Sequence, residues 1–302
     1  MRKGIIILGN GFDLDLGLKT SYADFAKSSQ WAELMSGNIH SNDKDMLLGF
    51  LKSKYDVEKW IDIEAALLEY AQIKTNYKQF SHAQEDEEDF LSLCKYLKSY
   101  LIEQQENFVP TKNSVASLLL PYLGRLSNAS KLYTFNYTQL NVLASKFNVS
   151  MEYDATHIHG SLSDEGNIIL GMETDRGVDD RYSFLYKTQN RQYRHTDILK
   201  DLRDKDEYVF FGHSLNGMDY TYFKSIFGVL ATNTLSTPGL TIITKDVNAE
   251  NSFKNFLRRE YISLQSLYSN TVPTFILTDE IYRQSDTEIN KVQKLLGHIN
   301  AM

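Results

Sequence analysis

Gly4-Ile5-Ile6-Ile7-Leu8-Gly9-Asn10-Gly11-Phe12-Asp13 is the stretch on which the fold of this chain turns. Ile5 to Leu8 is an unbroken β-branched and aliphatic run, the pattern of a parallel strand covered on both faces. A glycine-rich turn follows at once, with a second glycine turn at Gly17. Ser21-Tyr22-Ala23-Asp24 then opens a helix through the Ser-x-x-Asp spacing of a capping box. The apolar run is four large residues between glycines, below the ~7–15 residues of an export signal's apolar region, so Met1-Arg2-Lys3 ahead of it is not read as part of a signal peptide.

Outward from this unit, residues 31–130 read as helical. Trp60, Glu64, Leu67, Leu68 and Ala71 share one helix face, and Phe90, Leu93, Cys94, Leu97 and Leu101 share another. Glu85 to Asp89 precedes the second helix, where acidic groups suit the helix dipole, and reads as a solvated entrance rather than a metal site. Strand character returns at 131–135, followed by Asn136-Tyr137-Thr138 and a helix to about Phe147. Further short strands are expected at 156–159, 167–170, 208–211, 240–244 and 273–277, with helices over 219–230 and 248–259. Strands alternating with helices imply parallel crossovers. The expected fold is α/β and Rossmann-like: a mostly parallel sheet with helices on both faces and a helical insertion after the first βα unit. Residues 1–30 and 131–302 would form the α/β domain, and 31–130 the insertion.

Composition narrows the function. The 302 residues carry 32 basic and 39 acidic side chains, a net charge of −7, which argues against strong nucleic-acid binding. Cys94 is the sole cysteine, so no intrachain disulfide and no cysteine-built zinc site can form. A reducing cytoplasm is the expected location. No run approaches the ~18–20 apolar residues of a membrane span, so no membrane association is expected.

Ligands of open α/β sheets bind beyond the carboxyl ends of the strands. Four polar or glycine-rich segments occupy such places: Gly9-Asn10-Gly11-Phe12-Asp13, Phe135-Asn136-Tyr137-Thr138, His157-Ile158-His159-Gly160, and Gly212-His213-Ser214-Leu215-Asn216. Backbone N–H groups and helix N-termini at such turns can hold phosphates. Each segment alone also has a structural reading. Gly9-x-Gly11 lacks the third glycine of the dinucleotide fingerprint. Asn136 could satisfy a turn, and Ser214 or Asn216 could cap a helix. Alternate strand residues point to opposite faces, so His157 and His159 do not make a two-histidine metal site, and no metal is expected. Glu64, on a packing face where burial would raise its pKa, and Asp219, at the start of an expected helix, are additional candidates.

Taken together, the segments resemble the AbiH family of phage abortive-infection proteins. The resemblance is carried by Ile7 to Phe25, Trp60-Ile61-Asp62-Ile63-Glu64, Thr134-Phe135-Asn136-Tyr137-Thr138, His157-Ile158-His159-Gly160 and Gly212-His213-Ser214-Leu215, in that order. More distantly, the same order is similar to the sirtuin-like NAD-binding fold. That similarity implies NAD as substrate or ligand. It assigns phosphate cradling to Gly9 and Gly11 within the 9–13 turn, water or ribose positioning to Asn136, a base to His159, and ribose or phosphate contact to Ser214 beside Gly212 and His213. Cleaving the nicotinamide–ribose bond passes through an oxocarbenium-like state, which needs an amide and a proton acceptor. Sirtuin deacylases carry a four-cysteine zinc module, which a single cysteine rules out, and their turn lacks the carboxylate found here at Asp13. The expectation is an antiphage hydrolase cleaving the nicotinamide N-glycosidic bond of NAD. A non-catalytic nucleotide-binding sensor is the alternative, and a metal-dependent nuclease is disfavoured by the acidity and the absence of a clustered metal-ligand motif. A nucleotide is the expected partner; the resemblance also implies a phage-derived trigger and leaves self-association open.

Overall fold

The computed structural model describes residues 3–302 apart from 59–60, 111–112, 152–153, 164–166, 174–176, 194, 204, 216–218 and 233–236, and at 195–197 and 221 it describes the backbone alone. Trp60 and Asn216, named above, therefore lie outside the described residues. In chain order the elements are β1 (Gly4–Leu8), α1 (Asn10–Leu16), α2 (Tyr22–Phe25), α3 (Ser29–Gly37), α4 (Leu47–Glu58), α5 (Ile63–Tyr77), α6 (Ala83–Asn107), α7 (Val115–Leu123), β2 (Lys131–Thr134), α8 (Leu140–Lys146), β3 (Thr156–His157), α9 (His195–Asp201), β4 (Glu207–Phe211), α10 (Tyr220–Thr232), β5 (Gly239–Thr244), α11 (Val247–Arg259), α12 (Leu264–Asn270), β6 (Val272–Leu277), α13 (Thr278–Tyr282) and α14 (Asp286–Asn300). The chain divides into two compact units: Met1–Leu18, Phe108–Ile158 and Arg194–Met302 form the first, and Lys19–Asn107 with His159–Tyr193 the second.

The first unit is built on a six-stranded sheet in the order β3-β2-β1-β4-β5-β6, every neighbouring pair parallel. This is the doubly wound Rossmann order, whose switch point lies between β1 and β4. Alternation of side chains along the strands distributes the core. Ile6, Leu8, Val209, Phe211 and Ile243 point to one face and pack with Phe12 and Leu16 of α1, Leu119 and Leu120 of α7, Leu143 of α8 and Val292 and Leu295 of α14. On the other face the Phe210 ring meets Phe223 and Phe227 of α10, with centroids 5.3 and 5.5 Å away. Both faces of β1 are fully buried, as its unalternating Ile-Ile-Ile-Leu run requires.

Two expectations are corrected here. A helix begins immediately after β1, at Asn10, and ends at a left-handed Gly17; the Ser21 capping box then opens a second, short helix, with Ser21 Oγ accepting from Asp24 N at 3.1 Å. Residues 167–170, expected as a strand, form no strand and lie outside the sheet, in the second unit. Their backbone bonds go elsewhere: Ile169 N donates to His159 O at 2.7 Å, and Met172 exchanges bonds with Leu185 and Lys187.

In the second unit, α6 takes in the acidic run as its first two turns. Asp86 and Asp89 are buried, contrary to the solvated entrance expected of this run. They stand three residues apart and so share the face of Phe90, Leu93 and Leu97. Asp86 accepts from Tyr70 OH, Tyr182 OH and Leu47 N, and Asp89 from Asn38 Nδ2 at 2.7 Å. Burial raises the Asp86 pKa above the ordinary carboxylate value, against these hydrogen bonds.

Candidate functional site

At the switch point of the first unit, the turn after β1 and the turn after β4 lie backbone against backbone. Gly9 N donates to Phe211 O and Gly11 N to Gly212 O, both at 2.8 Å, and Phe12 N donates to Gly9 O at 2.9 Å. A Cβ on Gly11 would stand 2.6 Å from Gly212 Cα, and Gly212 itself has φ +63°, so this approach needs glycine on both sides. The N–H groups of Gly9, Gly11 and Phe12, candidates for phosphate contact, thus have partners within the protein. Phe12 is core, its ring edge-on to Phe211 with centroids 5.2 Å apart, and Asn10 is exposed.

Beside this turn, β1 and β2 end next to each other, which brings Asp13 of α1 to Asn136. Asn136 Nδ2 donates to Asp13 Oδ1 at 2.7 Å and to Gly9 O at 3.1 Å, and Thr138 Oγ1 donates to Asp13 Oδ2 at 2.6 Å. All three side chains are buried. Because both contacts of the Asn136 amide on that side are to acceptors, its NH2 is assigned there, and Oδ1 is left as an acceptor. That oxygen is buried and has no hydrogen-bond partner. Burial pushes the Asp13 carboxyl up to about 7, against the hydrogen bonds from Thr138 and Asn136 that lower it. His157, at the end of β3, faces the Asn136 carbonyl oxygen through Nδ1 at 3.0 Å, which places a proton on that nitrogen.

After β4, Leu215 N donates to His213 Nδ1 at 3.0 Å, with Leu215 in the left-handed region at φ 53°. The neutral His213 ring therefore carries its proton on Nε2, 3.6 Å from Asp219 Oδ2. Its position is held by the Phe135 ring, centroids 4.6 Å apart, and by Phe223 at 5.1 Å. His213 and the exposed Ser214 line a cavity of about 230 Å³ with Thr244, Glu250 and Phe253. That is below the ~300–1,000 Å³ of most small-molecule pockets, and its Glu250 carboxylate opposes a phosphate.

The second unit holds the other candidates. Lys187, wholly buried, places Nζ 3.1 Å from Glu64 Oε1, 3.2 Å from His159 Nε2 and 3.5 Å from Glu173 Oε1. His159 Nε2 is also 3.4 Å from Glu173 Oε1, and Tyr193 OH donates to Glu173 Oε2. Burial raises the Glu173 pKa, but the His159 hydrogen bond, the Lys187 charge and Tyr193 outweigh it and hold the carboxyl below its ordinary range. The cluster is assembled by segments far apart in sequence: the N-terminal turn of α5 supplies Glu64, and the pairing of Met172 with Tyr186 brings Glu173 to Lys187. Gly160, at φ +77°, lets the chain pass so close to Asn167 that a Cβ would collide with its carbonyl oxygen.

The structure thus joins Asp13, Gly9 and Asn136, joins Gly9 and Gly11 to Gly212, pairs His213 with Asp219, and pairs Glu64 with His159 through Lys187. Sequence reasoning missed Thr138 as a partner of Asp13, although it lies within a quoted motif. It missed Glu173, Lys187 and Tyr193 altogether, since nothing in their local sequence marks them.

Among the described residues no helix is long and apolar enough to cross a membrane. Over 152 residues the chain is 28% identical to Inheritance of peroxisomes protein 2 of Candida glabrata, a match covering 46% of this chain but only 22% of that protein. A second match spans far more of the chain: the family profile described as Bacteriophage abortive infection AbiH aligns with residues 5–237, a range that runs from Ile5 in β1 past β4 and holds every side chain of both clusters. The chain belongs to the AbiH family of bacteriophage abortive infection proteins.

Proposed function

We propose that the protein serves phage defence as a hydrolase that cleaves the nicotinamide N-glycosidic bond of NAD. The observation that carries this reading is the orphaned acceptor of Asn136, buried at the strand ends of a Rossmann-type sheet. A buried carbonyl oxygen without a donor costs about 1–3 kcal/mol, so a ligand or water that donates to it gains that much. A ribose hydroxyl or an attacking water supplies such a donor; a phosphate oxygen does not. In the reaction the water oxygen bonds to C1′ and the glycosidic bond breaks, its electron pair returning to the pyridinium nitrogen. Neutral nicotinamide leaves, and the water's proton passes to a base. Asn136 would hold the water or the ribose in this reading, and His159 is the base suggested by the sirtuin-like resemblance.

The test is nicotinamide release from NAD by the purified protein, with Asn136→Ala and His159→Ala as separate controls. Release lost in either variant supports the assignment of that residue. A second reading, a silent nucleotide sensor, draws on the engaged N–H groups of the glycine turn; it predicts that NAD raises the melting temperature with no product formed.

A further inference from the structure

We infer that Asp13 is the proton acceptor of the Asn136 site and works through the hydroxyl of Thr138, which relays to it a proton of the attacking water. The inference rests on the hydrolase reading and names a base for it within the first unit. Asp13 offers its two carboxyl oxygens to two neighbours: Oδ1 accepts from Asn136 Nδ2 at 2.7 Å and Oδ2 from Thr138 Oγ1 at 2.6 Å. A hydroxyl has one proton to donate and two lone pairs. Thr138 spends its proton on Asp13, so what it keeps is acceptor capacity, as Asn136 does at its orphaned Oδ1. One carboxylate thus makes acceptors of both side chains, and only a group that donates, a water or a sugar hydroxyl, completes them.

The same contacts give the proton a route. As the water oxygen bonds to C1′ and the glycosidic bond breaks toward the pyridinium nitrogen, one water proton is held by Asn136 Oδ1. The other moves to Thr138 Oγ1, whose own proton crosses to Asp13 Oδ2. Threonine ends neutral as it began, and the released proton ends on the carboxyl. The 2.6 Å between Oγ1 and Oδ2 is that of a short, charge-assisted hydrogen bond, along which a proton has little distance to cover. Burial pushes the carboxyl up to about 7, so it exchanges its proton near neutrality, as an efficient general base does. Burial and the hydrogen bonds from Thr138 and Asn136 set that value, and among the described residues no charged side chain contributes to it.

The experiment is the pH profile of kcat/KM for nicotinamide release from NAD, which reports the free enzyme, in wild type, Thr138→Val, Thr138→Ser and Asp13→Asn. Wild type is expected to gain activity as pH rises through about 7, where Asp13 gives up its proton. Thr138→Val keeps the shape without the hydroxyl and is expected to lose roughly 10²-fold or more above that pH, and the rise with it. Thr138→Ser, which restores the hydroxyl, recovers both. Asp13→Asn has no charge to bury; it loses the rise as well, and it decides should Thr138→Val fail to fold. A merely structural role for Thr138 or Asp13 would lower the rate at every pH and leave the rise in place. That result overturns the relay, as does a flat wild-type profile, while release itself keeps the hydrolase reading. No release from wild type at any pH removes the hydrolase reading, and the relay falls with it.

Discussion

Asn136 donates through one amide group to the side chain of Asp13, at 2.7 Å, and to the backbone of Gly9. That pairing turns the amide oxygen away from both and leaves it without a donor. The carboxylate at position 13, unwelcome beside a phosphate, thus acts on a neighbour: it orients Asn136.

Asp13 gives the fold a measurable pH dependence. Its folded pKa of about 7 lies above the ordinary 3.8, so between those values the folded state holds a proton that the unfolded chain has released. Stability from this group is fully present below about pH 4 and is lost as pH rises through about 7, by roughly 4 kcal/mol. Denaturant unfolding of wild type and Asp13→Ala across pH 4–8 should show the gap between them narrowing as pH rises. A constant gap would contradict the buried, protonated carboxyl.

The glycine contact at the switch point should be intolerant of a methyl group. Gly212→Ala places a side chain at φ +63° against the Gly11 backbone and is expected to cost about 2–4 kcal/mol. Gly228→Ala, in α10 where a Cβ meets nothing, should stabilise by about 0.5–1 kcal/mol. Urea midpoints of the two variants, moving in opposite directions, check the pair.

Glu173→Gln keeps the shape but removes a countercharge from a buried lysine, and should cost roughly 3 kcal/mol near neutral pH. Because the Glu173 pKa is held below its ordinary value, this stabilisation exists above about pH 4.5 and fades as pH falls through the lower folded value. Unfolding curves of the variant and wild type should converge in acid. Curves that stay apart there would show that the charge of Glu173 is not what stabilises.

The parallel sheet was legible because its signal is local: Ile5 to Leu8 has no polar alternation, and a strand of that kind has to be covered on both faces. Asn136, Asp13 and Gly212 were legible as strand-end positions, but their mutual roles depend on which strands are neighbours, which one chain read end to end does not reveal. The Ile168-Ile169-Leu170 run has the composition of a core strand. It lies instead along a cleft shared with Phe90 and Cys94 of α6, and Ile169 N donates to His159 O. Asp86 and Asp89 could have been recognised, since their spacing continues the face of Phe90 and Leu93; the charge of the segment hid its periodicity. Lys187 and Glu173 could not, because the partners that make them a cluster come from α5, from the turn after β3 and from an isolated bridge.

The most direct test of the account is nicotinamide release from NAD by the wild-type protein beside Asn136→Ala. Turnover by wild type and its loss, by roughly 10²–10³-fold, in a folded Asn136→Ala is the result predicted. No release from wild type under conditions that activate the defence, or equal release from both proteins, would contradict it.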